Sequence, residues 1–217
     1  MLSSISLKNV IPNPLRDKLT QRPSQIWNTE VCLPQGEWIK IKAPSGSGKT
    51  TLVHTLYKLR NDFKGEVWYD DRSLQQLPVE QIALIRQQYI SIVFQDLRLL
   101  PQLTALENIQ LKNILGNVMY NESDILKMAE RLQITHILQQ QANTLSYGEQ
   151  QRVAIVRALV QPFVWLIMDE PFSHLDINNT KLAAALIAEE CTKRKAGFIL
   201  TDLDDDNHFP YTKQLTL

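Results

Sequence analysis

The stretch WIKIKAPSGSGKTTLVHTLYKL, residues 38–59, decides the fold of this chain of 217 residues. Residues 38–42 alternate between apolar and polar side chains, which is the two-residue period of a β-strand. A turn rich in glycine and serine follows, and residues 50–59 then show the spacing of a helix. The sequence therefore predicts a strand, a tight turn and a helix in direct succession.

The turn itself is close to the GxxxxGK[ST] pattern that cradles nucleotide phosphates. Its glycines let successive backbone N–H groups converge on the β-phosphate, and the following helix N-terminus adds partial positive charge. Lys49 would neutralise the β- and γ-phosphate oxygens, and the Thr50 hydroxyl would hold Mg²⁺. The predicted nucleotide-binding residues are Ser45, Gly46, Ser47, Gly48, Lys49, Thr50 and Thr51.

Ala43 stands where that pattern has its first glycine. If the position requires a positive φ, the Cβ atom costs roughly 1 kcal/mol, and otherwise it costs little. A turn of glycine and serine followed by Lys-Thr can also be a plain loop. The preceding strand and the following helix favour the phosphate-binding interpretation.

A second motif ends at two carboxylates. Residues 163–168 form the continuous apolar run of a strand buried on both faces, and Asp169 and Glu170 come directly after it. Open α/β sheets bind ligands at the carboxyl ends of their strands. We expect Asp169 to reach Mg²⁺ through water and Glu170 to act as the general base for an attacking water. The alternative is an acidic helix cap.

The remaining pattern alternates between strands and helices, which predicts a mainly parallel α/β sheet. Further strands are expected at residues 66–69, 90–94 and 198–201, and further helices at residues 79–87, 148–160 and 181–195. Residues 104–142 are predicted to be a helical insert that opens with a capping box of Thr104 and Glu107. Three prolines predict an irregular or edge-strand-like first quarter, with Trp27 on a strand.

LSYGEQQRVAIVRAL, residues 145–159, resembles the signature segment of the ABC ATPases. The resemblance implies a P-loop NTPase core with a mainly parallel sheet, an antiparallel β edge and an inserted helical subdomain. It implies one domain over residues 1–217, with a core of about 1–95 and 146–217 and a helical subdomain of about 96–145. In the family, the residues matching Ser146 and Gly148 bind the γ-phosphate of the nucleotide held by the opposite subunit. Ser146 could alternatively be a helix N-cap.

The resemblance carries further roles and two replacements. Gln95 matches the glutamine that touches Mg²⁺ and the attacking water, and it is expected to assist catalysis beside Glu170. Asp176 matches the aspartate of the D-loop at the dimer interface. Tyr147 and Glu149 replace the first glycine and the glutamine of the LSGGQ pattern. The tyrosine ring must point away from the phosphate, or the binding of ATP between subunits weakens.

Two features of the family are missing. Asp202 stands where a histidine usually contacts the γ-phosphate, and a carboxylate about 4 Å from a phosphate charge is repelled by roughly 4 kcal/mol. This predicts slow hydrolysis. His208 would substitute after a loop shift, and the alternative is an ordinary surface histidine. No aromatic residue precedes Trp27 to stack on adenine, and such stacking contributes roughly 1–3 kcal/mol. Loose nucleotide affinity or base selectivity is therefore expected.

Residues 94–109 resemble the lipoprotein-release, macrolide-exporter and cell-division group of bacterial ABC ATPases. This implies an ATP-binding and ATP-hydrolysing subunit that dimerises, with itself or a paired ABC subunit, around ATP and Mg²⁺ to drive a membrane permease. The alternative is an ATP-dependent switch or scaffold with weak or no hydrolysis. In the family, a coupling helix of the permease enters a groove between the core and the helical subdomain. Four leucines are expected either to line this groove or simply to pack the helical subdomain: Leu97, Leu99, Leu100 and Leu103.

Composition limits the other possibilities. The 23 basic and 23 acidic residues balance, so no bulk charge favours nucleic acid or anionic lipid. Cys32 and Cys191 lie far apart outside any CxxC motif, which fits a reducing compartment. Residues 163–168 are too short to span a bilayer, and no secretory signal is recognised. We expect a cytoplasmic protein without direct membrane insertion, held at the inner face of the cell membrane through permease subunits.

No metal other than Mg²⁺ is expected. The histidines at positions 54, 136 and 174 lack the spacing of metal ligands. The acidic run at residues 202–206 lacks the glycine and the distal glutamate of an EF-hand loop, which favours a solvated turn.

Overall fold

The computed structural model describes residues 2–19, 23–114, 119–203 and 207–217. The strands are β1 Ser4–Pro12, β2 Glu30–Pro34, β3 Trp38–Lys42, β4 Phe63–Tyr69, β5 Arg72–Ser73, β6 Ile90–Val93, β7 Trp165–Asp169, β8 Gly197–Asp202 and β9 Lys213–Thr216. The α-helices are α1 Arg16–Leu19, α2 Lys49–Leu56, α3 Val79–Gln88, α4 Ala105–Ile114, α5 Glu122–Arg131, α6 Tyr147–Val160 and α7 Ile177–Arg194. Short 3₁₀ helices lie at Asn13–Leu15, Thr135–Ile137 and Ala142–Thr144.

The strands form two sheets. A five-stranded sheet has the order β6-β7-β8-β3-β9, and all of its strand pairs are parallel. A four-stranded antiparallel sheet has the order β2-β1-β4-β5. All residues of β6 and β7 are buried, as expected for parallel strands that are covered on both faces. The predicted fold class, a mainly parallel α/β sheet with an antiparallel element and inserted helices, is confirmed.

Apolar packing holds these layers together in two clusters. One cluster joins the residues of α4, α5, α6 and α7 to one face of the parallel sheet. The other fills the space between the parallel sheet, helix α2 and the antiparallel sheet, where Trp27 and Trp165 are fully buried. Because parallel strands align their carboxyl ends, the loops after β3, β6, β7 and β8 meet at one edge of the sheet.

The first quarter of the chain is more regular than its prolines predict. β1 pairs with β2 on one side and with β4 on the other, so it is an interior strand and not an edge strand. Pro12 is its last residue, and the alternation of buried Ile5 and Leu7 with serines was the overlooked signal. Trp27 lies in the turn before β2 and not on a strand, which corrects the prediction.

The helical insert consists of two helices and two short 3₁₀ segments, and residues 115–118 lie outside the described part of the chain. The predicted capping box is present, because the Glu107 carboxylate accepts from the Thr104 N–H at 2.7 Å and the Thr104 hydroxyl accepts from the Glu107 N–H. The division of the domain near residues 95 and 146 stays a prediction. Within the described residues no helix has the length and apolar character needed to cross a bilayer.

Candidate functional site

The phosphate loop leaves β3 at Lys42 and enters α2 at Lys49. Gly46 and Gly48 have φ values of 75° and 104°, which glycine adopts without steric cost. Ala43 is not among the described residues with positive φ, so its Cβ atom costs nothing here. Its N–H donates to the carbonyl of Asp202 at 3.0 Å, which joins the start of the loop to the end of β8.

Lys49 is the cation at the centre of the site and is only 6% exposed. Its ammonium donates to the carbonyl oxygen of Ala43 at 2.9 Å and of Pro44 at 3.4 Å. It also lies 3.0 Å from the Glu170 carboxylate. A phosphate oxygen entering the loop would compete with these acceptors for the ammonium, so phosphate binding would loosen the hold on Glu170.

Asp169 and Glu170 follow β7 as predicted. Asp169 is 1% exposed and accepts a hydrogen bond from the Thr201 hydroxyl at 2.6 Å. Burial raises the pKa of Asp169 above its usual value, while hydrogen bonds from the Thr201 and Thr50 hydroxyls act in the opposite sense. Glu170 has a φ of 49°, an uncommon conformation for a residue with a side chain. The acidic-cap alternative is wrong, because Asp176 caps the following helix.

Gln95, directly after β6 and Phe94, joins the two motifs. Its amide oxygen accepts from the Thr50 hydroxyl at 3.0 Å, and its amide nitrogen donates to the Glu170 carboxylate at 3.4 Å. The structure thus brings five predicted side chains together in one place. They are Lys49, Thr50, Gln95, Asp169 and Glu170.

The side-chain oxygen atoms in this site are suited to binding Mg²⁺ together with a nucleotide. Thr50, Gln95 and Asp169 offer a hydroxyl, an amide oxygen and a carboxylate, and Mg²⁺ prefers oxygen ligands. Mg²⁺ in nucleotide sites uses one or two carboxylates and completes its shell with phosphate oxygens and water. No cluster of three or more histidine, cysteine, aspartate or glutamate side chains that could hold a metal is found among the described residues.

Ser146 caps α6 in a complete capping box with Glu149. The Ser146 N–H and hydroxyl donate to the Glu149 carboxylate at 2.8 and 2.7 Å. These hydrogen bonds hold the pKa of Glu149 below its usual value, so the carboxylate stays ionised at neutral pH. The N-cap interpretation of Ser146 therefore describes its local structure, and its hydroxyl proton is already engaged.

The Tyr147 ring turns toward loops of its own chain. Its hydroxyl donates to the backbone carbonyl of Gln95 at 2.9 Å, and its ring centroid lies 4.3 Å from that of His174. A Cβ atom on Gly148 would lie 3.0 Å from the His174 carbonyl, so glycine permits this close approach. Sequence reasoning missed this contact, although a tyrosine in place of glycine was the visible signal.

Gln151 is a second residue that sequence reasoning missed. It is 1% exposed, and its amide nitrogen donates to the Glu170 carbonyl at 3.3 Å. Its amide oxygen accepts from the His174 N–H at 3.2 Å. Gln151 therefore ties helix α6 to the end of β7 and to the following loop. The signal available in the sequence was its position in the polar run at residues 149–152, directly before the mainly apolar part of the helix.

The remaining predicted residues have local roles. Asp176 accepts from the Asn179 N–H at 2.8 Å as the N-cap of α7, so this helix begins earlier than predicted. Asp202 ends β8 and accepts from the Leu203 N–H at 2.7 Å. The His208 ring packs against Phe172 with a centroid separation of 5.6 Å. The acidic turn at residues 204–206 lies outside the described residues.

A parallel sheet whose first loop surrounds a buried lysine, beside a strand that ends in two carboxylates, defines a P-loop nucleotide-binding protein. Residues 26–173 match the family model described as ABC transporter, and the chain belongs to this family.

Relatives and solved structures agree with this assignment. The lipoprotein-releasing system ATP-binding protein LolD of Saccharophagus degradans is 34% identical over 79% of this chain and 76% of the relative. The uncharacterized ABC transporter ATP-binding protein YvcR of Bacillus subtilis is 33% identical over 81% of this chain and 68% of the relative. The dimeric bacterial ABC transporter cassette MJ0796 matches with a TM-score of 0.76, at 29% identity, over 91% of this chain and 87% of that chain.

A second structure of MJ0796 has ADP and Pi bound in a post-hydrolysis state, and it matches with a TM-score of 0.76 at 28% identity, over 92% of this chain and 88% of that chain. The predicted family is confirmed, with a lipoprotein-release protein among the relatives. The prediction of an ABC ATPase and an ATP-binding transporter subunit is confirmed at the level of this class. The roles of individual side chains stay predictions.

Asp169→Asn should stabilise the protein near pH 7, because burial disfavours the charged carboxylate while asparagine keeps an acceptor for Thr201. The folded-state pKa is raised, so the wild type loses stability as pH rises through it. The advantage of the variant should therefore shrink toward about pH 4. Urea unfolding at both pH values measures this difference.

Asp176→Asn is the matched control, because hydrogen bonds from Asn179 lower the pKa of Asp176. Its stability difference from the wild type should change with pH in the opposite direction. A stability gain for Asp169→Asn that is equal at both pH values would contradict the buried-charge explanation.

Proposed function

We propose that this chain binds ATP and Mg²⁺ in the site around Lys49, pairs with a second subunit across the nucleotide, and hydrolyses ATP to drive a membrane permease. The observation that carries the proposal is the convergence of Lys49, Thr50, Gln95, Asp169 and Glu170 at one edge of the parallel sheet. The dimeric form and the ADP and Pi complex of MJ0796 support it.

The chemistry follows from charge and position. Phosphoryl transfer needs placement and neutralisation of negative charge more than covalent help. Lys49 moves from Glu170 to the β- and γ-phosphate oxygens, and Glu170 is then free to accept a proton from water. The water oxygen bonds to the γ-phosphorus as the bond to the bridging oxygen breaks, which yields ADP and phosphate. Mg²⁺ held by Thr50, Gln95 and Asp169 would neutralise phosphate oxygens.

Pairing is proposed to bring Ser146 and Gly148 of a second copy to the γ-phosphate. In this chain the Ser146 hydroxyl already donates to Glu149, whose side chain is partly buried. To bind there, the γ-phosphate must replace the Glu149 carboxylate as the acceptor of the Ser146 hydroxyl, and it must lie close to the negative charge of Glu149. The nucleotide-linked dimer is therefore expected to be weaker than it would be with the glutamine of the family pattern.

The permease is proposed to dock in a groove of about 340 Å³ beside the loop after Gln95. Of the four leucines predicted to line it, Leu97 is buried in the core and only Leu100 lines the groove, 49% exposed. Arg98 and Arg157 also line the groove. Arg157 donates to the carbonyl oxygens of Leu97 and Arg98, and burial lowers its pKa to about 10. A coupling helix that offers an apolar side chain next to a carboxylate fits this chemistry.

A switch with weak hydrolysis is the second candidate. The replacement of the family histidine by Asp202 and the ionised Glu149 beside Ser146 both favour it, since each places negative charge where phosphate is expected. Retention of Glu170 beside Lys49 favours hydrolysis. Turnover measurements separate the two candidates.

Glu170→Gln should lower ATP turnover by about 10²–10⁴-fold while Mg²⁺-ATP still binds, because the amide cannot accept the proton of water. Asp202→His should raise turnover, since it removes a repelling charge. Phosphate release by the chain co-purified with its permease measures both effects.

Glu189→Gln is the control, because this exposed glutamate pairs with Arg131 on the protein surface. A Glu170→Gln protein as active as the wild type would remove Glu170 as the general base. A wild type that binds ATP but shows no turnover above the uncatalysed background would favour the switch.

Glu149→Gln should tighten ATP-dependent pairing by about fivefold, because it removes a negative charge beside Ser146. The measurement is sedimentation of the chain with Mg²⁺-ATP, made in the Glu170→Gln background so that ATP persists. Glu107→Gln alters the equivalent capping box of α4 and should leave pairing unchanged. Equal effects of the two substitutions would mean that helix capping, and not phosphate repulsion, is responsible.

Leu100→Glu should abolish co-purification of the permease while ATP binding is retained, because a carboxylate replaces an apolar contact in the groove. Leu126→Glu is the control, since Leu126 is 41% exposed on α5, outside the residues that line the groove. Affinity purification with mass-spectrometric identification of the integral-membrane partner measures the outcome. Retained association in Leu100→Glu would place the docking surface elsewhere.

A further inference from the structure

Tyr147 is a side chain that the family pattern does not provide, because glycine stands at the matching position. It is the first residue of α6, directly after the N-cap Ser146. Its hydroxyl donates to the backbone carbonyl of Gln95 at 2.9 Å, and the two residues are 52 positions apart in the chain. Glycine has no side chain to make this hydrogen bond, so the contact follows from the departure from the pattern. A cavity of about 340 Å³ beside the contact is lined by Tyr147, Thr50, His54, Gln95 and Asp96.

We propose that Tyr147 is a positioning residue for Gln95, and that it holds this glutamine where its amide oxygen can bind Mg²⁺. The inference rests on the proposed function, because it assumes that Gln95 is a ligand of the Mg²⁺ that accompanies the nucleotide. It assigns to the replaced glycine position a role within its own subunit. Tyr147 borders the same cavity as Thr50 and Gln95, which are two of the proposed Mg²⁺ ligands.

The Tyr147 ring is fixed by a second contact. Its centroid lies 4.3 Å from that of the His174 ring at an interplanar angle of 62°, which is an edge-to-face arrangement. Gly148 leaves room for the His174 segment, since an added Cβ atom would lie 3.0 Å from the His174 carbonyl. A ring that is already packed loses less conformational entropy when its hydroxyl makes a hydrogen bond. Tyr147 therefore reaches Gln95 as a held side chain, although it is 42% exposed.

The backbone shortly after Gln95 is strained. Leu97 and Arg98 have φ values of 56° and 49°, so two consecutive residues with side chains adopt the left-handed conformation. Such strain persists only where the surrounding structure holds it. Arg157 holds the turn by donating to the carbonyl oxygens of Leu97 and Arg98. The hydrogen bond from Tyr147 holds the carbonyl of Gln95, and it opposes a rotation of that peptide group which would relieve the strain and displace the glutamine.

The side chain of Gln95 has two contacts of its own, and both are with groups of the phosphate site. Its amide oxygen accepts from the Thr50 hydroxyl at 3.0 Å, and its amide nitrogen donates to the Glu170 carboxylate at 3.4 Å. Mg²⁺ would bind the same amide oxygen and the same hydroxyl oxygen, so the hydrogen bond between Gln95 and Thr50 would be lost. The hydrogen bond from Tyr147 uses the backbone carbonyl and is compatible with bound metal. Tyr147 therefore restrains Gln95 before and after Mg²⁺ binds.

The test measures the factor by which Mg²⁺ raises the affinity of the whole chain for a non-hydrolysable ATP analogue, relative to binding in EDTA. Because binding of the metal and of the nucleotide are thermodynamically linked, this factor reports on the metal ligands of the protein. Tyr147→Phe keeps the ring beside His174 and removes the hydrogen bond to Gln95. It should lower the factor about threefold to tenfold, as expected for one hydrogen bond, and leave the affinity in EDTA unchanged.

Gln95→Ala decides whether Tyr147 acts through Gln95. This substitution removes the amide ligand and should itself lower the Mg²⁺ factor. In the Gln95→Ala chain, Tyr147→Phe should then have no further effect, because the group that it positions is absent. Tyr89→Phe is the matched control, since Tyr89 is a half-buried tyrosine at the C-cap of α3 and does not line the cavity. It should change neither affinity.

The remaining outcomes also decide the inference. Full additivity of Gln95→Ala and Tyr147→Phe overturns it, because Tyr147 then acts on the metal independently of Gln95. An unchanged Mg²⁺ factor in Tyr147→Phe overturns it as well, even if Tyr147→Gly lowers the factor, because the ring and not the hydrogen bond is then responsible. If the wild type binds the analogue equally with Mg²⁺ and in EDTA, the positioning role is wrong and nucleotide binding stands. If the analogue does not bind, the proposed function fails and the inference fails with it.

Discussion

The contact between the buried Lys49 ammonium and the Glu170 carboxylate is the interaction around which the site is organised. A lysine that is almost fully buried requires acceptors, because an unpaired charge away from water is costly. The phosphate loop supplies two carbonyl oxygens and β7 supplies the carboxylate. The left-handed backbone at Glu170 places a charged side chain beside that cation. A phosphate competing for Lys49 therefore acts on the residue that is proposed to activate water.

Tyr147 and Glu149 depart from the family pattern at the start of α6, where the resemblance implies a contact with phosphate. Tyr147 fits because its ring leans on the Gln95 carbonyl and on His174 of its own chain. Gln151 connects the loop that contains His174 to Glu170. The loop that contains Gln95 and the start of α6 are proposed to contact nucleotides bound to different subunits, and here they are joined within one chain. A displacement of Gln95 would therefore be transmitted to the start of α6 through the hydrogen bond from Tyr147.

Strong local patterns made much of the fold predictable. The alternation in β3, the apolar run of β7 and the capping box before α4 each depend on neighbours in sequence, and the structure has all three. Weaker patterns failed. β1 was obscured by Pro12 at its end and by the two prolines that follow it, and Trp27 was assigned to a strand although it lies in a turn. The start of α7 was missed because its cap, Asp176, was interpreted only through the family resemblance.

The sequence by itself determined the succession of strand, phosphate loop and helix, the order of the motifs and the family, because these follow from the spacing of residue types along the chain. Only the tertiary structure decided that Gln95 contacts Thr50 and Glu170, that Tyr147 reaches Gln95, and that Leu15 covers Gly48. Those contacts join residues far apart in sequence. They depend on how the sheet and the helices pack, which no local pattern of side chains specifies.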